Sequence, residues 1–184
     1  MKAIKTAIPD VLIIEPMVFK DDRGFFMETF HKQKYEAAGI TSAFVQDNLS
    51  LSQKNTLRGL HYQYPHGQAK LVQVLQGSVL DIAVDIRRGS PSFGKWISIE
   101  LNDSNKRQLF IPSGFAHGFL VLTETATFNY KCSDLYSPAD EKGVLFSDPD
   151  LGISWPQGDY ILSEKDTQYP CLCDIPEDHL PKYV

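Results

Sequence analysis

The densest grouping of chemistry-bearing side chains in the chain is Leu57–Gln63, LRGLHYQ, where an arginine, a histidine and a tyrosine fall within a few residues. Arg58 and His61 have opposite parity on a regular strand. A bulge seated at Gly59 would bring both to one cavity; otherwise Arg58 reaches the cavity rim or a neighbouring chain. Five histidines raise the question of metal ligation. His61 and His66 are five apart and His117 lies in another segment, but a metal-bearing barrel wants a His-x-His pair with a carboxylate, and two residues after His61 stands Gln63. The spacing therefore predicts no bound metal. The phosphate loops GxxxxGKS/T and GxGxxG and the nucleophile elbow GxSxG have no match in the sequence.

The remaining polar candidates sit within apolar runs. His117 shares a period-two face with Phe115, Phe119 and Val121, and Tyr130 shares one with Phe128 and Cys132. Polar groups on the inward face of a barrel either line a cavity or are buried with satisfied hydrogen bonds, and the residues alone leave both readings open. Lys70, ahead of an apolar run, reads by itself as a solvated lysine at a strand start. Asp166 closes Ser163–Asp166 (SEKD), which matches a helix capping box. Asp21–Phe26 reads as a turn into a strand.

The elements that must hold these side chains are mostly strands. Val79–Ile86 alternates Leu80, Ile82, Val84 and Ile86 with Asp81 and Asp85. Leu71–Leu75, Trp96–Leu101, Gln108–Ile111, Phe115–Leu122 and Thr127–Cys132 read the same way, with Gly, Pro, Asn and Ser clusters between them. Many short strands spaced by turns predict an all-β sandwich or barrel. One helix is expected over Lys32–Ala38, stopped by Gly39. Val11–Val18 is expected as an edge strand, with Pro16 limiting its pairing to one side. The C-terminal quarter, rich in Pro, Asp and Gly, is expected to wrap the barrel with loops and one or two short helices.

A chain of 184 residues makes one domain, over residues 1–184, and needs no disulfide or metal to fold. Three cysteines without a CxxC pair argue against a disulfide framework and a structural zinc site. A net charge of -5 disfavours nucleic acid and anionic membrane as partners. No apolar run approaches the ~20 residues of a bilayer span. The opening residues lack an apolar signal core, so a cytoplasmic protein is expected.

Several motifs in order resemble one family. DRGFF at Asp22–Phe26, LRGLHYQ at Leu57–Gln63, VDIRRGSPSFGKW at Val84–Trp96 and PSGFAHGF at Pro112–Phe119 are similar to dTDP-4-dehydrorhamnose 3,5-epimerases. LGISWP at Leu151–Pro156 and ILSEKD at Ile161–Asp166 extend the resemblance over nearly the whole chain. It implies a cupin-type jelly-roll β-barrel with a few short peripheral helices. It also implies a homodimer that exchanges N-terminal strands, with the last ~18 residues peripheral. No cofactor is implied. The substrate would be dTDP-4-dehydro-6-deoxy-D-glucose and the product dTDP-4-dehydro-L-rhamnose.

Such a reaction removes hydrogens at C3 and C5, which flank the C4 ketone, and returns a proton to the opposite face of the enolate. By resemblance His61 is the base, Asp166 its carboxylate partner, Tyr130 the opposed proton donor and Lys70 the cation that stabilises the oxyanion. The implied substrate contacts are Arg23, Glu28, Gln46, Asp47, Asn48, Arg58 and His117, with Glu141 and Lys165 matching less specific positions. Arg58 and Arg23 suit a diphosphate, because guanidinium forks match phosphate oxygens. Phe25 or Phe26 is a candidate to stack on thymine. Three other readings stay open: an epimerase acting at C3 or C5 alone or a ketoisomerase of another keto-deoxysugar, a metal-dependent cupin oxygenase, and a non-catalytic sugar-nucleotide binding module.

Overall fold

The computed structural model describes residues 1–183; Val184, the last residue of the expected single domain, lies outside them. The chain opens with β1 (Lys2–Lys5), β2 (Leu12–Glu15), the hairpin β3 (Val18–Asp21) and β4 (Gly24–Met27), and helix α1 (Lys32–Ala37). Then follow β5 (Gln46–Gln53), β6 (Leu57–Gln63), β7 (Lys70–Gln76), β8 (Ser78–Asp85) and β9 (Trp96–Asn102). The last strands are β10 (Gln108–Ile111), β11 (Phe115–Val121), β12 (Thr125–Cys132) and β13 (Glu141–Gly143), and three 3-10 turns lie in the C-terminal segment. Among the described residues these strands form two antiparallel sheets and the separate β3–β4 hairpin. The six-stranded sheet runs β1-β2-β10-β7-β12-β5 and the five-stranded sheet runs β13-β6-β11-β8-β9. Together they make the expected jelly-roll barrel.

The two sheets close on an apolar interior. Val72, Val74, Leu109, Ala126 and Phe128 from one sheet meet Val79, Ala83, Phe115, Phe119 and Val121 from the other. Phe119 and Phe128 stack across the gap with ring centroids 4.2 Å apart. The aliphatic row Ile82, Val84 and Ile86 points the other way, out of the barrel, yet it too is buried. Leu172, Ile175 and Leu180 of the C-terminal segment cover it, each contributing about 1.5–3 kcal/mol. The Asp148 carboxylate accepts from the Leu172 backbone N–H at 2.7 Å and pins this segment. On the outside of the six-stranded sheet, Tyr35 of α1 packs with Ile14, Leu71 and Phe110. Burial pushes its phenol up to about 12, against the lowering effect of its hydrogen bond to Gln108.

The helix ends where expected, with Gly39 at φ +93. The expected strand Val11–Val18 is a correction. Pro16 breaks it into β2 and β3, and β2 is no edge strand, because it pairs with β1 on one side and β10 on the other. Proline is tolerated because it stands just past the last paired residue, Glu15.

Candidate active site

The site lies where the apolar interior gives way to polar residues. Strand β6 sets its first wall. His61 pairs in register with His117 of β11, while Arg58 pairs with Phe119. Three steps on β6 against two on β11 mean one extra residue, a bulge that turns Arg58 and His61 to the same side. Gly59 makes it possible. Its φ is +124, and a Cβ there would fall 2.5 Å from the Gly118 Cα. Arg58 is held by its Nε, which donates to the Ser52 Oγ at 3.1 Å.

His61 Nε2 is 2.5 Å from the Asp166 carboxylate, and Nδ1 has no partner among the described residues. Asp166 is buried on the 3-10 turn Lys165–Thr167. Burial raises its pKa, but the hydrogen bond and charge of His61 outweigh this and hold the carboxyl below the usual range. The capping-box reading is half correct. The Asp166 backbone N–H donates to the Ser163 Oγ at 3.3 Å, while the carboxylate turns away to His61.

The opposite wall belongs to the six-stranded sheet. Tyr130 of β12 lies between Asn48 of β5 and Val72 of β7. Burial raises its pKa, with Cys132 and Glu141 adding to the effect and Arg58 opposing it, so the phenol stays protonated. Lys70 opens β7 and turns into the site instead of into solvent. Burial lowers its pKa, while the charges of Cys132, Asp81 and Glu141 act the other way. No carboxylate pairs with it directly among the described residues.

His61, Lys70 and Tyr130 line two adjoining cavities. The inner one, about 180 Å³, is completed by Arg58, His117 and Phe128. The outer one, about 240 Å³, adds Gln46, Asn48, Tyr136 and Glu141. A third, open cleft of about 530 Å³ runs from His61 past Arg58 and Asp166 to Thr56 and Ile161. Glu141 accepts from Lys165 at 2.7 Å and from the Tyr136 hydroxyl at 2.9 Å. Burial raises its pKa and these two donors more than offset it. His117 is buried with its Nε2 3.0 Å from both oxygens of Asp81. Its environment is thus both readings at once, a satisfied pair and a cavity wall. Among the described residues no cluster of three or more His, Cys, Asp or Glu has the arrangement of a metal site.

Three expected contacts do not converge on these cavities. Asp47 points to the outer face of β5, where Lys131 holds it at 2.9 Å. Arg23 projects from the β3–β4 hairpin, 90% exposed and paired with Asp21. Glu28 is held by Lys34 at 2.8 Å. Phe25 and Phe26 are exposed on the same hairpin, with the Lys106 ammonium over the Phe25 ring. Asp81 and Tyr136 are among the site residues that sequence reasoning passes over. Asp81 gave a signal, a carboxylate inside an aliphatic strand, but Tyr136 in a loop gave none.

Known proteins resemble the chain over nearly its whole length. The family model described as dTDP-4-dehydrorhamnose 3,5-epimerase matches residues 5–174. A dTDP-4-dehydrorhamnose 3,5-epimerase from Shigella flexneri is 55% identical over 168 residues, covering 90% of this chain and 93% of the relative. The solved dTDP-6-deoxy-D-glucose-3,5-epimerase from Legionella pneumophila, in complex with dTDP-4-keto-L-rhamnose, superposes with a TM-score of 0.97 at 51% identity. That match covers 100% of this chain and 98% of the other. A more distant structure, a 3'-monoepimerase from Streptomyces bikiniensis in complex with dTDP-quinovose, gives a TM-score of 0.91 at 35% identity, covering 97% of this chain and 92% of the other.

Proposed function

The chain belongs to the dTDP-4-dehydrorhamnose 3,5-epimerase family, and on that footing we propose that His61 and Tyr130 act from opposite walls of one cavity on the carbons flanking a sugar ketone. The enzyme epimerises C3 and C5 of dTDP-4-dehydro-6-deoxy-D-glucose to give dTDP-4-dehydro-L-rhamnose. The observation that carries the division of roles is the placement of the two groups. The His61–Asp166 pair stands on the five-stranded side and Tyr130 on the six-stranded side, with Lys70, also on the six-stranded side, lining the same space.

The chemistry follows from that placement. Asp166 occupies Nε2 of His61, so Nδ1 is the nitrogen left to take a proton from C5 or C3. The electron pair of the broken C–H bond moves into an enolate with its charge on O4. Lys70 supplies the cation for that oxygen, an interaction that strengthens as the ketone becomes an enolate and therefore favours the transition state. Tyr130 returns a proton from the opposite face, which inverts the carbon. The phenolate and imidazolium left behind re-equilibrate with water before the second centre reacts. Arg58 suits the diphosphate, and Gln46, Asn48 and Glu141 of the outer cavity with Lys165 of the open cleft suit the rest of the nucleotide. His117, held by Asp81, suits a sugar hydroxyl.

The active form in this reading is a homodimer. Phe19, Phe25 and Phe26 of the hairpin are more than half exposed, as are Val45, Leu49 and Leu51 on and beside the edge strand β5. Two such apolar faces on one chain support pairing with a second copy, each hairpin bringing Arg23 and Glu28 to the other's site. A reducing cytoplasmic setting is part of the same reading, supported by three free thiols. No helix among the described residues is long and apolar enough to cross a membrane.

The test is NMR of dTDP-4-dehydro-6-deoxy-D-glucose incubated with the protein and EDTA in heavy water. Deuterium at both C3 and C5, with the L-sugar trapped by a downstream reductase, is expected, and His61→Ala should abolish both. Deuterium at one carbon would turn the reading to a single-site epimerase, and no exchange to another sugar nucleotide or to binding alone. Sedimentation should give a dimer that Phe26→Asp weakens.

A further inference from the structure

Asp166 is not the only group of its segment that touches His61. Tyr169 follows three residues later, just past the 3-10 turn Lys165–Thr167 and its cap Gln168. The Tyr169 ring meets the imidazole of His61 nearly at right angles, with centroids 5.7 Å apart and an interplanar angle of 69°. The ring also lies over Gly143 of β13, the residue paired in register with His61. A Cβ at position 143 would fall 2.6 Å from the Tyr169 Cγ, so the ring can occupy this place only because residue 143 has no side chain. Behind the ring, the Pro170 carbonyl accepts from the Leu145 N–H at 2.8 Å and fixes the backbone. The Tyr169 hydroxyl is buried, which pushes its pKa up to about 12, and Lys165 is close enough to act against the rise.

We propose that Tyr169 is a positioning residue for the catalytic base, its ring and the Asp166 carboxylate together fixing the plane of His61, with Gly143 as the seat that admits the ring. Hydrogen bonding to Asp166 through one nitrogen leaves the imidazole free to swing about that bond. A ring packed nearly perpendicular to it removes this freedom and holds Nδ1 toward the cavity. A base that wanders spends less time in line with the substrate C–H, which lowers kcat and leaves ground-state binding unchanged. The inference rests on the assignment of His61 as the base.

The experiment compares wild type, Tyr169→Ala, Tyr169→Phe, Gly143→Ala and His61→Ala in epimerisation kinetics, dTDP affinity and proton NMR of the His61–Asp166 hydrogen bond. Tyr169→Ala should lower kcat by up to about tenfold, the size of one aromatic pair, at unchanged KM. Its low-field His61 proton should broaden or vanish. Tyr169→Phe, which keeps the ring, should restore both signals to the wild-type level, and Gly143→Ala should reproduce Tyr169→Ala by displacing the ring. Wild-type kcat in Tyr169→Ala, or equal impairment in Tyr169→Phe, overturns the proposal. So does a rise in KM without a fall in kcat. His61→Ala separates the two levels: full activity there would remove the base assignment itself, whereas its loss beside a normal Tyr169→Ala removes only the role of Tyr169.

Discussion

His117 stands across Asp81 inside the barrel, with its Nε2 equidistant at 3.0 Å from both carboxylate oxygens. Asp81 is fully buried. Burial pushes its carboxyl up, while the charges of His117 and Lys70 and the hydrogen bond from His117 pull it down. The pair belongs to the floor of the cavity, so it joins the stability of the barrel to the orientation of a group that faces substrate.

Asp81→Ala would leave His117 buried without an acceptor and Lys70 with one fewer anion nearby. A loss of about 3–5 kcal/mol is expected in urea unfolding. Asp81→Asn keeps the shape and one acceptor, and should recover much of that stability. Unfolding midpoints for Asp81→Ala equal to wild type would show that the pair does not hold the floor.

Burial keeps Tyr130 protonated, and it stands on the wall opposite His61, the proposed base. Tyr130→Phe should permit the first proton removal but not the return from the far face. Deuterium wash-in to substrate should therefore persist while inverted product falls about 100-fold. Parallel loss of exchange and inversion would contradict the donor role.

Lys70→Ala removes the cation proposed to stabilise the developing enolate oxygen. A fall in kcat of about 100-fold or more with dTDP affinity nearly unchanged is expected, as for other preorganised oxyanion partners. Weakened dTDP binding at normal turnover would make Lys70 a binding residue only.

Gly59→Ala places a methyl group against the Gly118 backbone at a φ that alanine rarely adopts. Thermal unfolding should show a loss of about 2–3 kcal/mol. Activity at low temperature should fall as well, because Arg58 and His61 no longer share a face. An active, stable Gly59→Ala would mean that the bulge is not what aligns them.

Asp85 anchors a network in which Arg87 donates at 2.8 and 2.7 Å, and Ser90 and Ser92 donate at 2.5 and 2.6 Å. Burial raises its pKa, but these donors outweigh that and lower it from 3.8. The folded carboxylate therefore binds protons less readily than the unfolded one. Its contribution is complete above pH 3.8 and is lost as pH falls through the folded value. Unfolding free energy followed from pH 7 to 2 should fall less steeply in Asp85→Asn than in wild type, and parallel curves would refute the assignment.

Reading the sequence worked best where apolar residues faced the interior. Strands β7 and β9 to β12 announced themselves because apolar residues point inward at most second places. Strand β5 did not, because its pattern is inverted: Leu49 and Leu51 are 65% and 67% exposed, while Asn48, Ser50 and Ser52 turn toward the cavity. Inverted alternation marks a strand whose inside is wet and whose outside expects a partner. The inward direction of Asp81 was hidden for a related reason. The aliphatic residues of β8 looked like the inward face, but they lie beneath the C-terminal segment, and the acidic residues share the inner face. Periodicity identifies two faces without saying which is the cavity. The bulge at Gly59 was legible because glycine among bulky strand residues has few other uses. The role of Asp166 was legible only through the family resemblance, since a capping box and a partner for a distant histidine carry the same letters.

The covering of the five-stranded sheet has a consequence for biosynthesis. The ribosome finishes every barrel strand before it reaches the residues that shield Ile82, Val84 and Ile86. Asp166 and Leu172 arrive on that same late stretch. A nascent chain halted after β13 would carry an exposed oily surface and an unpaired His61 together. Quality-control factors that recognise greasy surface would thus remove the catalytically incomplete molecules as well, since one docking event cures both defects.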